Sequence, residues 1–302
     1  MKYTDIVEAK KIYKKKQNVT EHLRKQYNVK NNSSEIIEIA YDLQAGSYIE
    51  NTIKNRTNQE KTSALIASEL NKFLLPRSTL LDIGSGELTN LTLILNNLNK
   101  IRKVFAFDIS WSRIFKGVKF FKDNSKHKIN LLYPFVADIK SIPLASNSID
   151  VITSCHALEP NGRNLNLLLK ELFRVAKDKL VLFEPSYELN SKEGKRRMEK
   201  YGYVKGIEKE VIKLGGIVKN IKLIGDPANS LNPTACYVIS VNKKKKYGHK
   251  KSPKFTIPGS DFELKRSDNF MISKDTGLSF PILKKIPILK SELAILSTAL
   301  FD

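Results

Sequence analysis

Apolar, strand-like runs alternate with helical patterns between residues 61 and 242, and this alternation restricts the possible folds more than any other feature. The first five runs are TLLDI, KVFAFDI, LLYPFVAD, IDVITS and KLVLFEP. Helical patterns cover residues 60–74, 88–99, 111–122 and 163–176, with further helical stretches within 192–214. Strands that alternate with helices are joined by right-handed crossovers, so the pattern predicts a parallel sheet with helices on both faces.

The last two strand-like runs of this region, GIVKNIKLIG and TACYVISVN, have no helix between them. This absence predicts an antiparallel hairpin at the edge of the sheet. In open α/β sheets, ligands bind at the carboxyl ends of the strands, which is therefore where we look for functional residues.

The chain divides into four predicted parts. Residues 1–60 are polar and helix-prone and form a helical N-terminal cap, and residues 61–242 form the main domain. Residues 243–253 are a lysine-rich linker, and residues 254–302 form a small β-rich domain. A chain of 302 residues with 41% hydrophobic residues is long enough for one sizeable core and an appendage.

The formal net charge is +21, from 52 Lys and Arg against 31 Asp and Glu. Such a charge is typical of proteins with an anionic partner, such as RNA, a nucleotide-linked sugar or a membrane surface. The lysines are spread widely and are not interleaved with the aromatic residues and arginines of an RNA-binding stripe. We therefore favour, by a small margin, the interpretation that the positive charge reflects the overall amino-acid composition of the chain and not an anionic partner.

The two cysteines, Cys155 and Cys236, are far apart and have no C-x-x-C spacing. This spacing excludes a cysteine-rich zinc site and does not favour a disulfide framework, so we predict no bound metal and a reducing, cytoplasmic location. No apolar run is long enough to span a bilayer, and the N-terminus does not have the pattern of a signal peptide.

The first strand ends at Asp82 and is followed by the turn Gly84-Ser85-Gly86. Glycines at this point accept positive φ angles and let a ligand approach the backbone closely. The dinucleotide fingerprint G-x-G-x-x-G is broken at Thr89, and no Gly-Lys-Ser/Thr of a phosphate-binding loop follows. The remaining motif is D-x-G-x-G.

Two further acids stand where the second and third strands end. Asp108 follows Asp82 by 26 residues (108 − 82) and is placed to accept both ribose hydroxyls of an adenosine. Asp138 is placed to accept a hydrogen bond from an adenine amino group, with the backbone of Ala137 and Ile139 at the ring edge.

This ordered set resembles the class I S-adenosylmethionine-dependent methyltransferases, and most closely the ubiquinone/menaquinone-methyltransferase-like branch. The likeness covers about residues 75–242, through LLDIGSG, VFAFDIS, VADIKSIPLASNSIDVITS and ELFRVAKDKLVLFEP. It implies a Rossmann-like, seven-stranded methyltransferase sheet with S-adenosylmethionine as cofactor. The residues implied to bind the cofactor are Asp82, Gly84, Ser85, Gly86, Asp108, Ile109, Ala137, Asp138, Ile139 and Ser154.

The resemblance extends weakly to YDLQAGSYI, residues 41–49, where related enzymes have a segment that closes over the cofactor. Tyr41 and Tyr48 are the candidates, although aromatic residues on a capping helix can also simply pack on the sheet. The chain departs from the family at Leu88, where many members have another glycine.

The loop after the fourth strand, SCHALEPNG, lies where the transferred methyl group would point. His156 is the candidate general base, because its ordinary pKa suits proton transfer near neutral pH; a structural histidine is the alternative. Glu159 is a candidate cap for a helix that starts near Asn161, and Glu184 and Tyr187 are weaker candidates for lining the acceptor side. The loop lacks the N/D-P-P-Y/F/W motif of enzymes that methylate adenine or glutamine amino groups.

The segment TGLSFPILKKIPIL resembles the C-terminal part of a small zinc-ribbon-like domain that activates several tRNA, rRNA and protein methyltransferases. The matching residues are Gly277, Leu278, Phe280, Pro281, Ile282, Ile286, Pro287 and Leu289. Where the family has C-P-x-C, this chain reads IPGS at residues 257–260. We therefore predict a domain without zinc that stabilises the methyltransferase domain or shapes its acceptor site. The alternative is a β-rich extension that only covers an apolar face of the main domain.

The sequence predicts an S-adenosylmethionine-dependent methyltransferase acting on a small or medium-sized metabolite, with a sugar or nucleotide-linked sugar suggested by analogy. The alternative is a tRNA or other RNA methyltransferase, which the net charge and the activator-like tail favour. A cofactor-binding scaffold that has lost catalysis is a third hypothesis.

Overall fold

The computed structural model of the chain describes residues 3–225, 230–241 and 252–301. Residues 243–251 of the predicted lysine-rich linker lie outside the described residues.

A mixed seven-stranded sheet forms the centre of the molecule. Its strands are β1 Ser78–Ile83, β2 Ile101–Asp108, β3 Leu132–Val136, β4 Ile149–Cys155, β5 Ala176–Pro185, β6 Ile217–Leu223 and β7 Thr234–Ser240. The strand order is β3-β2-β1-β4-β5-β7-β6. The first five strands are parallel, whereas β7 is antiparallel to both β5 and β6. The predicted Rossmann-like sheet with an antiparallel last hairpin is confirmed.

Ten α-helices accompany the sheet in the part of the chain that is described. They are α1 Tyr3–Lys14, α2 Val19–Gln26, α3 Ser34–Leu43, α4 Ser47–Lys54, α5 Arg56–Asn71, α6 Thr89–Leu95, α7 Trp111–Asn124, α8 Leu165–Val175, α9 Lys192–Tyr201 and α10 Ile207–Lys213. The predicted helix 163–176 begins two residues later than expected, because a 3-10 helix first occupies Glu159–Asn164. None of the helices described is both long enough and apolar enough to cross a membrane.

The sheet is covered on both faces because its strands alternate their side chains. Leu81 of β1 packs in one apolar cluster with Leu168 of α8. Leu80, its neighbour, packs in the opposite cluster with Leu70 of α5 and Leu91 of α6. Strands buried on both faces read as continuous apolar runs, which is why the sequence pattern identified them.

The N-terminal helices α1 to α3 share an apolar cluster of their own, and α3 contacts α7. Asp42 of α3 accepts hydrogen bonds from the hydroxyls of Ser110 and Ser112, at 2.7 and 3.0 Å. It also accepts one from the backbone N–H of Ser112 at 3.2 Å. Asp42 therefore stabilises the positive end of α7 and fixes α3 above the carboxyl ends of β1 and β2.

A small antiparallel sheet follows the main domain, as predicted. Its strands are β8 Lys265–Ser267, β9 Phe270–Ile272, β10 Leu278–Leu283, β11 Ile286–Pro287 and β12 Ile295–Leu296. The backbone N–H of Leu289 donates to the carbonyl of Val136 at 2.8 Å, so the chain after β11 runs along the edge of β3. Phe280 and Leu289 are buried in the core cluster of the main domain.

Candidate active site

A cavity of about 540 Å³ opens at the carboxyl ends of the parallel strands. Its volume lies within the usual range for a small-molecule site, about 300–1,000 Å³. Nine predicted residues line it: Tyr41, Tyr48, Gly84, Asp108, Ile109, Ala137, Asp138, Ile139 and His156. Asp82, Gly86 and Ser154 are buried outside its wall, and Ser85 is half-buried there.

The turn after β1 requires both of its glycines. Gly84 and Gly86 have φ angles of +59° and +54°. A Cβ atom on Gly84 would lie 2.5 Å from Cβ of Ala157, and one on Gly86 would lie 2.3 Å from Nη2 of Arg113. Leu88 also has a positive φ, +55°, at a cost of about 1–2 kcal/mol, so the turn keeps the geometry that a third glycine would adopt.

Asp108 lies at the end of β2 with half of its acceptor capacity in use. Its Oδ2 accepts from the backbone N–H of Gly86 and its Oδ1 from that of Ser110, both at 2.9 Å. Nη1 of Arg113 lies 3.6 Å from Oδ2. A carboxylate has about four acceptor positions, so two remain for the hydroxyls of a ribose.

Asp138 is held by the N-terminal cap. The Ser34 hydroxyl donates to its Oδ2 at 2.5 Å, and the backbone N–H of Lys140 donates to its Oδ1 at 2.9 Å. The ammonium of Lys140 in turn donates to the Ser34 hydroxyl at 2.8 Å. Ser34 also lines the cavity and was not identified from the sequence, since nothing in its local pattern places it beside Asp138.

Arg113 is a second residue that the sequence did not reveal. Its side chain is 9% exposed, and its guanidinium carbon lies 5.1 and 4.6 Å from the ring centres of Tyr41 and Tyr48. Glu87 lies 3.9 Å from its Nε and accepts from the backbone N–H of Ile49 at 2.9 Å. Arg113 and Glu87 therefore tie the two tyrosines of the cap to the glycine turn. Burial raises the pKa of both tyrosines, so they stay neutral.

Asp82 is a buried acid without an ion-pair partner among the described residues. Burial raises its pKa to about 7; the Ser85 hydroxyl opposes this shift, and the charge of Asp108 adds to it. A cationic ligand group at this point would restore the ionised carboxylate.

His156 follows β4 in a left-handed conformation, with φ +57°. Its Nδ1 lies 2.7 Å from Oε2 of Glu159, and its Nε2 lies 2.7 Å from the hydroxyl of Thr234. Burial by itself would lower the pKa of His156, but the hydrogen bond and charge of Glu159, together with the charge of Glu184, outweigh it and raise the pKa above 6.5. The prediction that Glu159 caps a helix was wrong, because α8 begins only at Leu165.

Glu184 shapes the loop on which His156 lies. Its Oε1 accepts from the backbone N–H of Ala157 and Leu158, at 3.0 and 3.1 Å, and its Oε2 from that of Glu159 at 3.2 Å. Burial raises the pKa of Glu184 to about 7, against the charge of His156 and the hydrogen bonds it accepts. Because Glu184 is 0% exposed, the prediction that it lines the acceptor side was wrong.

Cys155 lines the same cavity but is not suited to be a nucleophile. Burial raises the pKa of its thiol to about 12, and the charges of Glu184 and Asp82 add to the shift. The thiol is therefore fully protonated near neutral pH. No group of three or more potential metal ligands (His, Cys, Asp or Glu) occurs among the described residues.

Residues 81–183 match a family model described as a methyltransferase domain. The chain contains an S-adenosylmethionine-dependent methyltransferase domain. S-adenosylmethionine is the cofactor of this fold. The chain has no significant sequence match among curated proteins.

Solved structures share the fold of this methyltransferase domain at low sequence identity. The [4+2]-cyclase SpnF aligns with a TM-score of 0.54 and 12% identity, over 70% of this chain and 97% of that one. A chain of the complex between the Haloferax volcanii Trm112 methyltransferase activator and a methyltransferase aligns with a TM-score of 0.51 and 16% identity, over 67% and 97%. Magnesium protoporphyrin IX methyltransferase from Synechocystis PCC 6803, solved with SAH, aligns with a TM-score of 0.47 and 14% identity, over 61% and 83%.

The cavity fits the methyltransferase cofactor on its own chemistry. The glycine turn packs closely against Ala157 and Arg113, so a Cβ atom on either glycine would displace residues of the cavity wall. Asp108 has acceptor positions left for hydroxyls, and Asp82 is a buried acid with no cation to pair with among the described residues. A ribose in the cavity would supply hydroxyls to Asp108. A cationic group of the same ligand, held next to the glycine turn, would favour the ionised form of Asp82, which is buried outside the cavity wall.

Proposed function

We propose that the methyltransferase domain methylates a hydroxyl group of a small or medium-sized metabolite, and that sugars and nucleotide-linked sugars are the first acceptors to test. One observation carries this proposal. The same cavity is lined by Asp108 and Asp138 on one side and by His156, Glu159 and Thr234 on the other. Cofactor and acceptor would therefore meet in one enclosed space, as methyl transfer in line requires.

In this proposal, each group of predicted binding residues holds a different part of the cofactor. Asp82 and the turn Gly84-Ser85-Gly86 would hold its methionine part, with Ser154 beside them at the end of β4. Asp108 with Ile109 would hold the ribose.

The remaining predicted residues would hold the adenine and close the site. Ala137, Asp138 and Ile139 would contact the adenine from the end of β3. Tyr41 and Tyr48, fixed by Arg113, would close the site from above.

When bound, the cofactor supplies a methyl group on a sulfonium, a good leaving group that needs no activation. The protein has to orient the acceptor and remove its proton. Nε2 of His156 is placed to take that proton, since Glu159 holds the opposite ring nitrogen at 2.7 Å and stabilises the charged ring. The Thr234 hydroxyl occupies the position on Nε2 that an acceptor hydroxyl would take.

Cofactor binding is the first test. Calorimetric titration with S-adenosylmethionine and S-adenosylhomocysteine should show micromolar binding by the wild type and none by Asp108→Ala. Asp108→Asn keeps the shape of the side chain and should weaken binding at least about tenfold. Asp123→Ala removes an exposed acid of α7 and serves as the matched control. No binding by the wild type would instead favour a scaffold that has lost catalysis.

Acceptor identity follows from methyl transfer to a panel of compounds, with sugars and nucleotide-linked sugars tested before tRNA. His156→Gln should abolish transfer to a hydroxyl and leave cofactor affinity within about twofold. Equal transfer rates in wild type and variant would show that His156 is not the general base.

RNA methylation is the second candidate, and the net charge of +21 favours it. Binding of tRNA would then fall steeply with salt, because each phosphate contact releases counterions. Transfer to tRNA but to no small compound would establish this alternative.

The C-terminal sheet would act as a built-in platform similar to an activator subunit. Its support is the contact of Leu289 with Val136, next to Ala137 and Asp138 of the cavity wall. A structural neighbour of the methyltransferase domain was solved together with a methyltransferase activator, which fits this interpretation. The likeness to the ubiquinone/menaquinone branch remains a prediction from the sequence.

A further inference from the structure

A second cavity, of about 330 Å³, adjoins the candidate active site; we call it the basic pocket. The residues that define it here are Arg24, Lys30, Lys200, Lys205, Tyr187 and Tyr203. It shares Pro160, Asn161 and Tyr203 with the wall of the main cavity. Both cavities therefore meet on the loop that follows His156.

The charge of the basic pocket is unbalanced. Four cations face it against one carboxylate, Glu199, which already accepts a hydrogen bond from the Tyr187 hydroxyl at 2.6 Å. Within the described ranges, none of these four cations has a carboxylate oxygen within 4.0 Å. Glu21 also interacts electrostatically with Arg24 and Lys200, but the cations outnumber the acids, so an anion in the pocket would be stabilised.

Neighbouring side chains hold three of these four cations in place. Lys205 lies 5.4 Å from the ring centre of Tyr187, and Lys200 lies 5.7 Å from that of Tyr201. Arg24 donates to the side-chain carbonyl of Asn32 at 2.6 Å. The pocket is therefore preorganised, which lowers the entropic cost of binding a ligand.

A buried donor next to the pocket is also unused. The guanidinium of Arg197 lies over the rings of Tyr201 and Tyr203, at 5.2 and 5.4 Å from their centres. Its Nη1 is buried and has no hydrogen-bond partner among the described residues. Arg197 does not line the pocket, but its positive charge lies behind the rings of Tyr201 and Tyr203 and adds to the potential that an anion in the pocket would meet.

We infer that the basic pocket binds a phosphate group of the acceptor, so that the substrate is a phosphate ester whose methylated hydroxyl reaches His156. A phosphate carries up to two negative charges on several oxygens, which matches cations that come from α2, α9 and the segments after them. The pocket is compact and its volume is at the low end for ligand sites, which fits one phosphate or diphosphate better than an extended polymer. The assignment as acceptor subsite rests on the methyltransferase function proposed above.

The test measures phosphate binding without the methyl-transfer reaction. Full-length protein is titrated calorimetrically with inorganic pyrophosphate, uridine 5′-monophosphate and a short RNA oligonucleotide, at about 0.15 M ionic strength to screen unspecific attraction. The double variant Arg24→Ala/Lys200→Ala should bind pyrophosphate and the nucleotide at least about tenfold more weakly. Lys192→Ala/Lys209→Ala removes two exposed lysines outside the pocket and should bind within about twofold of the wild type.

Three outcomes would overturn the inference. One is no binding of either phosphate compound by the wild type, and another is equal losses in the two double variants. The third is binding of the oligonucleotide but of neither phosphate compound, which would identify the basic pocket as an RNA-binding site. S-adenosylhomocysteine binding, measured on the same samples, reports the cofactor site separately, so failure of the basic pocket and failure of the methyltransferase proposal are distinguishable.

Discussion

Nδ1 of His156 lies 2.7 Å from Oε2 of Glu159. This hydrogen bond sets the tautomer of the ring, because an N–H at Nδ1 makes Nε2 of the neutral ring the acceptor, which here faces the Thr234 hydroxyl. It also raises the pKa of His156 against the effect of burial.

The first prediction is that Glu159→Gln lowers the pKa of His156, since burial is then opposed only by the charge of Glu184. NMR titration of the histidine ring protons measures this directly, because the chain has four histidines and His156→Gln identifies the relevant signal. Glu208→Gln, at an exposed position, should leave the titration unchanged.

The sign of the linked stability follows from the same shift. A folded-state pKa above the unfolded value adds stability below about pH 6.5, and this stability is lost as pH rises through the folded-state pKa. Wild type should therefore lose this increment on going from pH 6 to pH 8, and Glu159→Gln should lose less. Identical pH dependence of unfolding in the two proteins would contradict the assignment.

The second prediction concerns Asp82. Its folded-state pKa of about 7 lies above the ordinary 3.8, so the acid destabilises the free protein increasingly as pH rises between these values. Asp82→Asn should therefore raise the melting temperature at pH 8, with the gain shrinking towards pH 4. The same variant should bind S-adenosylmethionine at least about tenfold more weakly, because no carboxylate remains for the amino group. Asp123→Asn is the exposed control, and a lower melting temperature at pH 8 for Asp82→Asn would disprove the burial cost.

The third prediction is that Glu184→Gln loosens the loop after β4. An amide presents one oxygen to three N–H donors that now share two carboxylate oxygens, and its NH₂ group faces at least one of them. The loss should be about 1–3 kcal/mol of unfolding free energy. Hydrogen exchange at residues 157–159 should accelerate, whereas Glu193→Gln on α9 should not change it. Unchanged protection of these three amides would show that Glu184 does not order the loop.

The fourth prediction tests the contact between the C-terminal sheet and the cap. Nζ of Lys290 lies 2.6 Å from Oε2 of Glu38, and the Lys290 side chain is 6% exposed. Breaking a buried ion pair costs about 3–5 kcal/mol, but Glu38 is 27% exposed, so Lys290→Met should cost about 2 kcal/mol. Urea unfolding measures this loss, with Lys274→Met as the exposed control. A double-mutant cycle with Glu38→Gln should show coupling; additive effects would mean that the pair is not formed.

The sequence alone determined the sheet and the edge of the sheet at which the candidate site lies. Strands buried on both faces read as apolar runs, and strand–helix alternation restricts their connection, so β1 to β7 were predicted within a few residues. The carboxyl ends of parallel strands lie at one edge of the sheet, which is why the sequence predicts Asp108 and Asp138 close together.

Only the tertiary structure decided the roles of residues that act across long sequence distances. Ser34 contacts Asp138, Arg113 lies between the cap tyrosines and Asp108, and Glu184 holds a loop that begins 27 residues earlier. Such contacts leave no local periodicity, because a polar side chain that is buried by a distant segment looks like any surface residue in the sequence. The basic pocket is hidden for the same reason: its lysines are scattered along the chain, and folding brings them to one cavity.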